Sequence, residues 1–559
     1  MKRKIIVIVM SVALIMNILT GCGNSGGNST SAEVSPTAAE GNSEVSNAAE
    51  SDGAVNKSGY PIMNEEHTFK IVHAIGTTDK LGSWEDKELT KKIEEETGLV
   101  IEWVGIPQSS YNEQVGIMIA AGDLPDVFIN GVPNFAQFVD SFVALDNYID
   151  DYAPSVSAFY EEYPEIKLAG IFPDGSIYGF PYMQANNFHA NNSLTINYTW
   201  LDTLGLDAPE TLDELFDVLT AFKEKDPNGN GMADEIPYGF RQNRGTSGVS
   251  FGFEMIMHAF GIYGSAIDDY PYLMVEGGDV VFYPEMDGYY EYLEYMHKLY
   301  SNGLLDPNGF VQEETDMIAK GSNNQYGMFM TSSYDDIIAG DYASDFNYLE
   351  PLKNKYGERN YFANRYSGDV AQNKFVITSA CEYPEAMVRL YDYVNSSFDN
   401  KVLFAWGPEG ISWERNEDGS ISRLNATLPE GYNSYAEVRH TYSMGVMGFT
   451  LWTDTEQAMF AITNDRDVKY LSREEPYMQY AIEEYIPIGQ DKVESSQEIS
   501  ILLTEISNYM ENFEAECIMM GIDQAKWESH LQNVKTFNVD RYVELRQEFY
   551  DRMLDLLKQ

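Results

Sequence analysis

The chain has 559 residues, 44% hydrophobic, 13% aromatic and 22% charged, which is enough apolar side chain for a sizeable core and for more than one folded body. Acidic residues outnumber basic ones 88 to 36, and a net charge of −52 repels nucleic-acid phosphates and so excludes nucleic acid as a partner. Three cysteines cannot staple a chain of this size, so its stability rests on packing and on any metal it binds.

Met1, Lys2, Arg3 and Lys4 precede an almost unbroken apolar stretch over 5–19, the charged start and apolar middle of a secretory signal, too short for a comfortable membrane span. Leu19, Thr20, Gly21 and Cys22 then resemble the lipobox of bacterial lipoproteins. That resemblance implies cleavage of a signal peptide over 1–21, lipidation of Cys22, and anchoring on the extracellular face of a Gram-positive cell membrane. Residues 22–58 read as a flexible tether, since Gly, Ser, Asn, Ala, Thr and Glu bury too little to repay their ordering entropy. Such a tether reaches about 30 to 35 Å.

Beyond it, 67–74 alternates like a first strand, 90–96 has helical spacing and 99–104 reads as a second strand. Helical spacing over 114–121, a short buried strand over 126–130 and a helix over 135–142 continue the alternation, which predicts a mostly parallel sheet with helices on both faces. A turn at Asp174 and Gly175 leads into 177–181, and 194–197 is strand-like ahead of a helical 199–204. Thr211 and Glu214 form a capping box, with Leu212, Leu215, Phe216, Leu219 and Phe222 on one face of a helix ending at Lys225. Amphipathic helices follow over 289–300 and 384–395, the latter behind a strand over 374–378, and 454–557 is rich in helix formers.

The loop 226–235 carries the most specific chemistry. Asp226, Asn228, Asn230 and Asp234 occupy positions 1, 3, 5 and 9, and Gly231 occupies position 6, the oxygen spacing by which an EF-hand loop wraps Ca2+. Position 12 is Pro237, so Glu235 supplies the last carboxylate and Met232 its backbone carbonyl. The competing reading is a metal-free Asn/Gly-rich turn. Asp306-Pro307-Asn308-Gly309 lacks the later acids and reads as a turn only.

Other motifs carry less. Gly248 to Gly252 match G-x-S-x-G around Ser250, but the preceding 241–247 is polar and glycine-bearing, unlike the buried strand that a nucleophile elbow needs. The seven histidines show no zinc-ligand spacing. Rings beside amides suit a sugar, whose C–H faces stack on aromatics while its hydroxyls meet polar side chains. Tyr178, Tyr182, Gln184, Asn187, His189, Tyr198 and Trp200 form one such group, Arg365 and Asp369 a second, and Trp406, Glu409 and Trp413 a third. For each ring taken alone, core packing is the competing reading.

The segments 94–103, 121–127, 174–181, 200–237, 299–307, 375–394 and 407–413 together resemble the family 1 extracellular solute-binding proteins of ABC transporters, in the lipoprotein branch with calcium-containing alginate oligosaccharide-binding proteins. The resemblance implies an α/β fold of two lobes joined by crossing hinge segments. The first lobe spans 59–188 plus 367–435, and the second spans 189–366 plus 436–559 with the calcium loop and a helix-rich C-terminus. It further implies a monomer that captures an oligosaccharide in the interlobe cleft and hands it to a permease, with Ca2+ structural and no bond broken. Family members often carry I-R-x-D-W-L where this chain reads Ile196, Asn197, Tyr198, Thr199, Trp200, Leu201, and losing that arginine leans the ligand toward a neutral sugar. Arg241, Arg244 and Arg365 remain as cations for an acidic one. The alternatives are a surface glycan-degrading enzyme, or the same fold with a peptide or other solute as ligand. Cys381 and Cys517 are expected to be free thiols.

Overall fold

The computed structural model describes residues 53–558 apart from 77, 83, 184–192, 242–252, 264–269, 332–336, 339, 362–369, 425–428, 433–434, 445–448, 461–476 and 478. Cys22, Gln184, Asn187, His189, Ser250, Arg365 and Asp369 lie outside the described residues.

Strands β1 (Thr68–Ile75), β2 (Val100–Pro107), β3 (Val127–Ile129) and β4 (Phe180–Met183) begin a first sheet. The chain then supplies β5 (Ser193–Asn197), β6 (Ile236–Gly239), a separate hairpin of β7 (Leu273–Glu276) with β8 (Asp279–Phe282), and β9 (Tyr326–Thr331) and β10 (Phe346–Tyr348). β11 (Val370–Ile377) returns to the first sheet, and β12 (Trp413–Arg415) pairs with β13 (Ile421–Arg423). The sheet orders are β2-β1-β3-β11-β4 and β10-β5-β9-β6.

Alternation explains why the first sheet is covered twice. In β1, β3 and β11, Phe69, Ile71, Val127, Ile129, Phe375 and Ile377 enter one core, while Val72, Phe128 and Val376 enter another. Successive side chains point to opposite faces, so a strand buried on both must be apolar nearly throughout. Helix Pro384–Asn395 seals one face, and Gln108–Ala121 seals the other through Tyr111, Val115 and Ile119. The expected helix over 135–142 is a 3-10 helix, Phe135–Ser141.

The second sheet has its own core, to which Leu215, Leu219 and Phe222 of helix Leu212–Glu224 contribute. That helix starts at the expected capping box: Glu214 N–H donates to Thr211 Oγ1 at 3.3 Å, and Thr211 N–H to Glu214 Oε2 at 3.1 Å. Helices Val493–Met520, Gln524–Thr536 and Val539–Leu557 complete the core and make the C-terminus helix-rich. Cys381 and Cys517 are buried and free.

Met183 and Leu194, Tyr361 and Val370, and Leu451 and Tyr477 each belong to opposite cores, so both cores draw on several separated stretches of the chain. Beyond Tyr477 lies a strap. Ile486 packs in the second core, Ile488 against the first, and the Gln490 side chain joins Asn373 at 3.1 Å to the Ala169 carbonyl at 3.3 Å.

Two expected boundaries shift. Val55 and Asn56 are 3% exposed, Val55 bridges Met63, and Arg389 donates to the Asn56 and Gly59 carbonyls, so 54–58 are part of the folded body and not of a tether. Met444, Phe449 and Leu451 pack in the first core, so the expected division at 435 cuts through that core.

His73, His258 and His530 are at most 4% exposed, and burial holds their pKa down, at about 3 for His73 and about 4 for the other two. The unfolded chain binds these protons near pH 6.5 and the folded one does not, so their contribution to stability is full above pH 6.5 and lost as pH falls toward 4. The melting temperature is expected to drop steeply over that window in a calorimetric pH series, and a flat profile would contradict this assignment.

Candidate functional site

Strand direction fixes where a ligand can be met. β1 is parallel to β2 and β3, while β11 is antiparallel to both β3 and β4, so β1 to β4 all end at one edge of the first sheet. In the second sheet β6, β9 and β10 end together at the edge where β5 begins. β4 therefore ends at one such edge and β5 begins at the other. Open α/β sheets take ligands outside the carboxyl ends of their strands, which makes these two edges the candidate cleft.

The loop after β1 is locked at this edge. Lys87 and Asp79 form an ion pair at 2.7 Å, with side chains 1% and 3% exposed. The Lys87 ammonium also donates to the carbonyls of His440 at 2.8 Å and Ser443 at 2.5 Å, at the C-terminal end of helix Tyr435–Tyr442, where a cation complements the helix dipole. Asp79 Oδ1 accepts from the N–H groups of Leu81 and Gly82, and Thr78 Oγ1 meets His440 Nδ1. Burial draws the Lys87 pKa down while Asp79 pulls it back up. Sequence reading missed this cluster, because Lys87 and His440 are 353 residues apart and neither belongs to a motif.

The sequence-predicted rings fare unevenly. Trp200 is 1% exposed, edge-on to Phe222 at 5.2 Å, and Tyr182 is 6% exposed within β4. Trp406 and Trp413, 3% and 5% exposed, belong to a small core with Val402, Ile421 and Trp452, and the Trp413 indole N–H donates to the Gly407 carbonyl at 2.7 Å. Trp200, Trp406 and Trp413 pack within these cores, where nearly complete burial leaves little ring face for the sugar-facing role expected of them. Glu409 is exposed and caps the Arg415 N–H at 3.1 Å. Tyr178 donates to Asp174 at 2.6 Å, and half-buried Tyr198 reaches the Tyr348 carbonyl at 3.4 Å.

The loop 226–235 is held by hydrogen bonds among its own polar side chains and backbone. Positive φ at Asp226 (47°), Gly229 (71°) and Gly231 (75°) turns it tightly. Gly231 N–H donates to Asp226 Oδ2 at 3.0 Å, Asn230 N–H to Asn228 Oδ1 at 3.0 Å, and Met232 N–H to Asn230 Oδ1 at 2.7 Å. The amide nitrogens of Asn228 and Asn230 turn onto Asp234 Oδ1 at 3.2 and 2.9 Å, and the Asn230 bond leads in holding the Asp234 pKa down. Glu235 is pushed up, first by burial and then by the charges of Asp226 and Asp234, and its Oε1 is buried without a partner. A hard cation suits this set of crowded acids, amide oxygens and an orphaned carboxyl oxygen. Among the described residues no three His, Cys, Asp or Glu side chains already enclose a metal-sized space. Asp306, by contrast, is fully satisfied by Lys320 at 2.7 Å, Tyr326 at 3.1 Å and Asn308 N–H at 3.0 Å, as a structural turn should be. The 226–235 loop abuts Gln325 at the start of β9, about 17 Å of strand from the Thr331 edge.

Residues 76–397 match the pattern of the bacterial extracellular solute-binding proteins. The fructooligosaccharide ABC transporter substrate-binding protein FusA of Streptococcus pneumoniae is 26% identical over 514 residues, which cover 88% of this chain and 91% of that protein. A solved structure of an S. pneumoniae FusA EF-hand mutant in complex with fructo-nystose is 26% identical, with a TM-score of 0.74 and coverage of 88% of this chain and 100% of that one. Alginate-binding protein AlgQ2 without calcium ion shares the fold at 20% identity, with a TM-score of 0.65 over 88% of this chain and 99% of that one.

Lys87→Met strands the Asp79 carboxylate in a buried site and is expected to lower stability by about 3 to 5 kcal/mol in urea unfolding, with Lys87→Met/Asp79→Asn recovering part of the loss. A neutral single variant would show the pair to be solvent-compensated.

Proposed function

The chain belongs to the bacterial extracellular solute-binding proteins, and from that membership we propose that it captures a neutral oligosaccharide between two lobes and presents it to the permease of an ABC transporter. The observation that carries the reading is likeness along nearly the whole chain to a fructooligosaccharide-binding protein. The protein binds and does not catalyse, as the substrate-binding proteins it resembles do. Ligand contacts to both strand edges stabilise the closed arrangement over the open one, and closure is the signal that the permease reads. Packing supports lobes of 54–183 plus 370–460 and 193–361 plus 477–558.

Anchoring through lipidated Cys22 holds a monomer at the extracellular face of a Gram-positive membrane. Among the described residues no helix is long and apolar enough to cross one. Ca2+ would be held by the carboxylates of Asp226, Asp234 and Glu235, the side-chain oxygens of Asn228 and Asn230, and the Met232 carbonyl; the Met232 side chain itself is 58% exposed. The cation would supply charge neutralisation, relieving the repulsion that raises Glu235, and the distance of the loop from the cleft makes its role structural.

Calorimetric titration of the mature chain with neutral oligosaccharides should give saturable binding with the glycan recovered intact, and product formation would instead favour the enzyme reading. Calcium at about 100 times its Kd should stabilise the protein by about 2.7 kcal/mol. Chelator should reverse that gain without changing ligand choice, and Asp226→Asn/Asp234→Asn should abolish it. An unchanged melting temperature in chelator would contradict the metal assignment.

A further inference from the structure

Lys80, in the loop after β1, ties a second surface to the same strand-end edge. Its ammonium pairs with Glu437 at 2.8 Å and reaches the Gly431 carbonyl, and its N–H donates to Thr441 Oγ1 at 3.2 Å. The ammonium also sits 4.5 Å from the centroid of the Tyr432 ring. Tyr432 and Tyr442 lie with ring centroids 6.0 Å apart at 43°, both half-buried. Beneath them the buried Lys87–Asp79 pair fixes the loop to the end of helix Tyr435–Tyr442. Arg439 turns away, stacking over Trp406 at 4.6 Å.

We propose that the Tyr432–Tyr442 pair, rimmed by Lys80 and Glu437, is a subsite for one ring of a neutral sugar, an inference that rests on the oligosaccharide-binding reading. Partly exposed rings offer a surface for the C–H face of a sugar. Each phenol hydroxyl can donate and accept, and Lys80 and Glu437 set a donor beside an acceptor, as vicinal hydroxyls require. Lys80 and Lys87 each already carry a carboxylate partner, so a uronate would meet Glu437 with no uncommitted cation from this pair of lysines to offset it. The loop and the helix are immobilised before the ligand arrives, which reduces the ordering cost of binding.

The test is calorimetry on the mature chain with neutral tetrasaccharides and their uronate counterparts, with melting temperatures taken on every variant. Tyr432→Ala is expected to weaken binding of the neutral ligand about tenfold through lost ring contact, and Tyr432→Phe to restore most of it. Tyr442→Phe should weaken it roughly three- to tenfold through one lost hydrogen bond. Hydrogen exchange on the wild-type chain should slow over 429–442 when the ligand is added, a readout that needs no variant to fold. Wild-type affinity in Tyr432→Ala, unaltered exchange over 429–442 or tighter binding of the uronate would each overturn the subsite while leaving the oligosaccharide reading intact. A wild-type chain that binds no glycan would overturn that reading and the subsite with it.

Discussion

A sheet buried on both faces has one place left at which to meet a ligand, the edge where its strands end. Phe69 and Ile71 face one core and Val72 faces the other, so the middle of β1 is covered on both faces. The same holds for β3 and for Phe375–Ile377 of β11, and the polar groups that could serve recognition lie mainly toward the strand ends and the loops beyond them. The locked loop 76–82 and the helix Tyr435–Tyr442 follow from this constraint.

Local pattern made much of the fold legible. The capping box at Thr211, the strand alternation and helix Pro384–Asn395 are each decided by residues within one turn or one strand of one another. The tight 226–235 loop is legible for the same reason, since its polar side chains lie within ten consecutive residues. Family resemblance supplied the two-lobed architecture, which no local pattern could.

The cleft was not legible, and the tryptophans show why. A ring beside amides in a glycine-bearing turn has the composition of a sugar site, yet Trp413 is a core residue because Trp406, Trp452 and Ile421 converge on it from elsewhere in the chain. Conversely, Lys87 looks like an ordinary surface lysine ahead of a helix until residues 440 and 443 arrive with two carbonyls. Buried charge pairs are tertiary facts, invisible to periodicity.

The strap over 486–490, with Ile486 in one core, Ile488 against the other and Gln490 bound to Asn373 and Ala169, has a mechanical consequence. Two bodies joined by a single strand retain three rotations, so a ligand must arrest all of them. Additional straps remove twist and lateral sway and leave bending about one axis as the soft coordinate. Binding then does its work against a single degree of freedom, and little of the contact energy is spent on alignment.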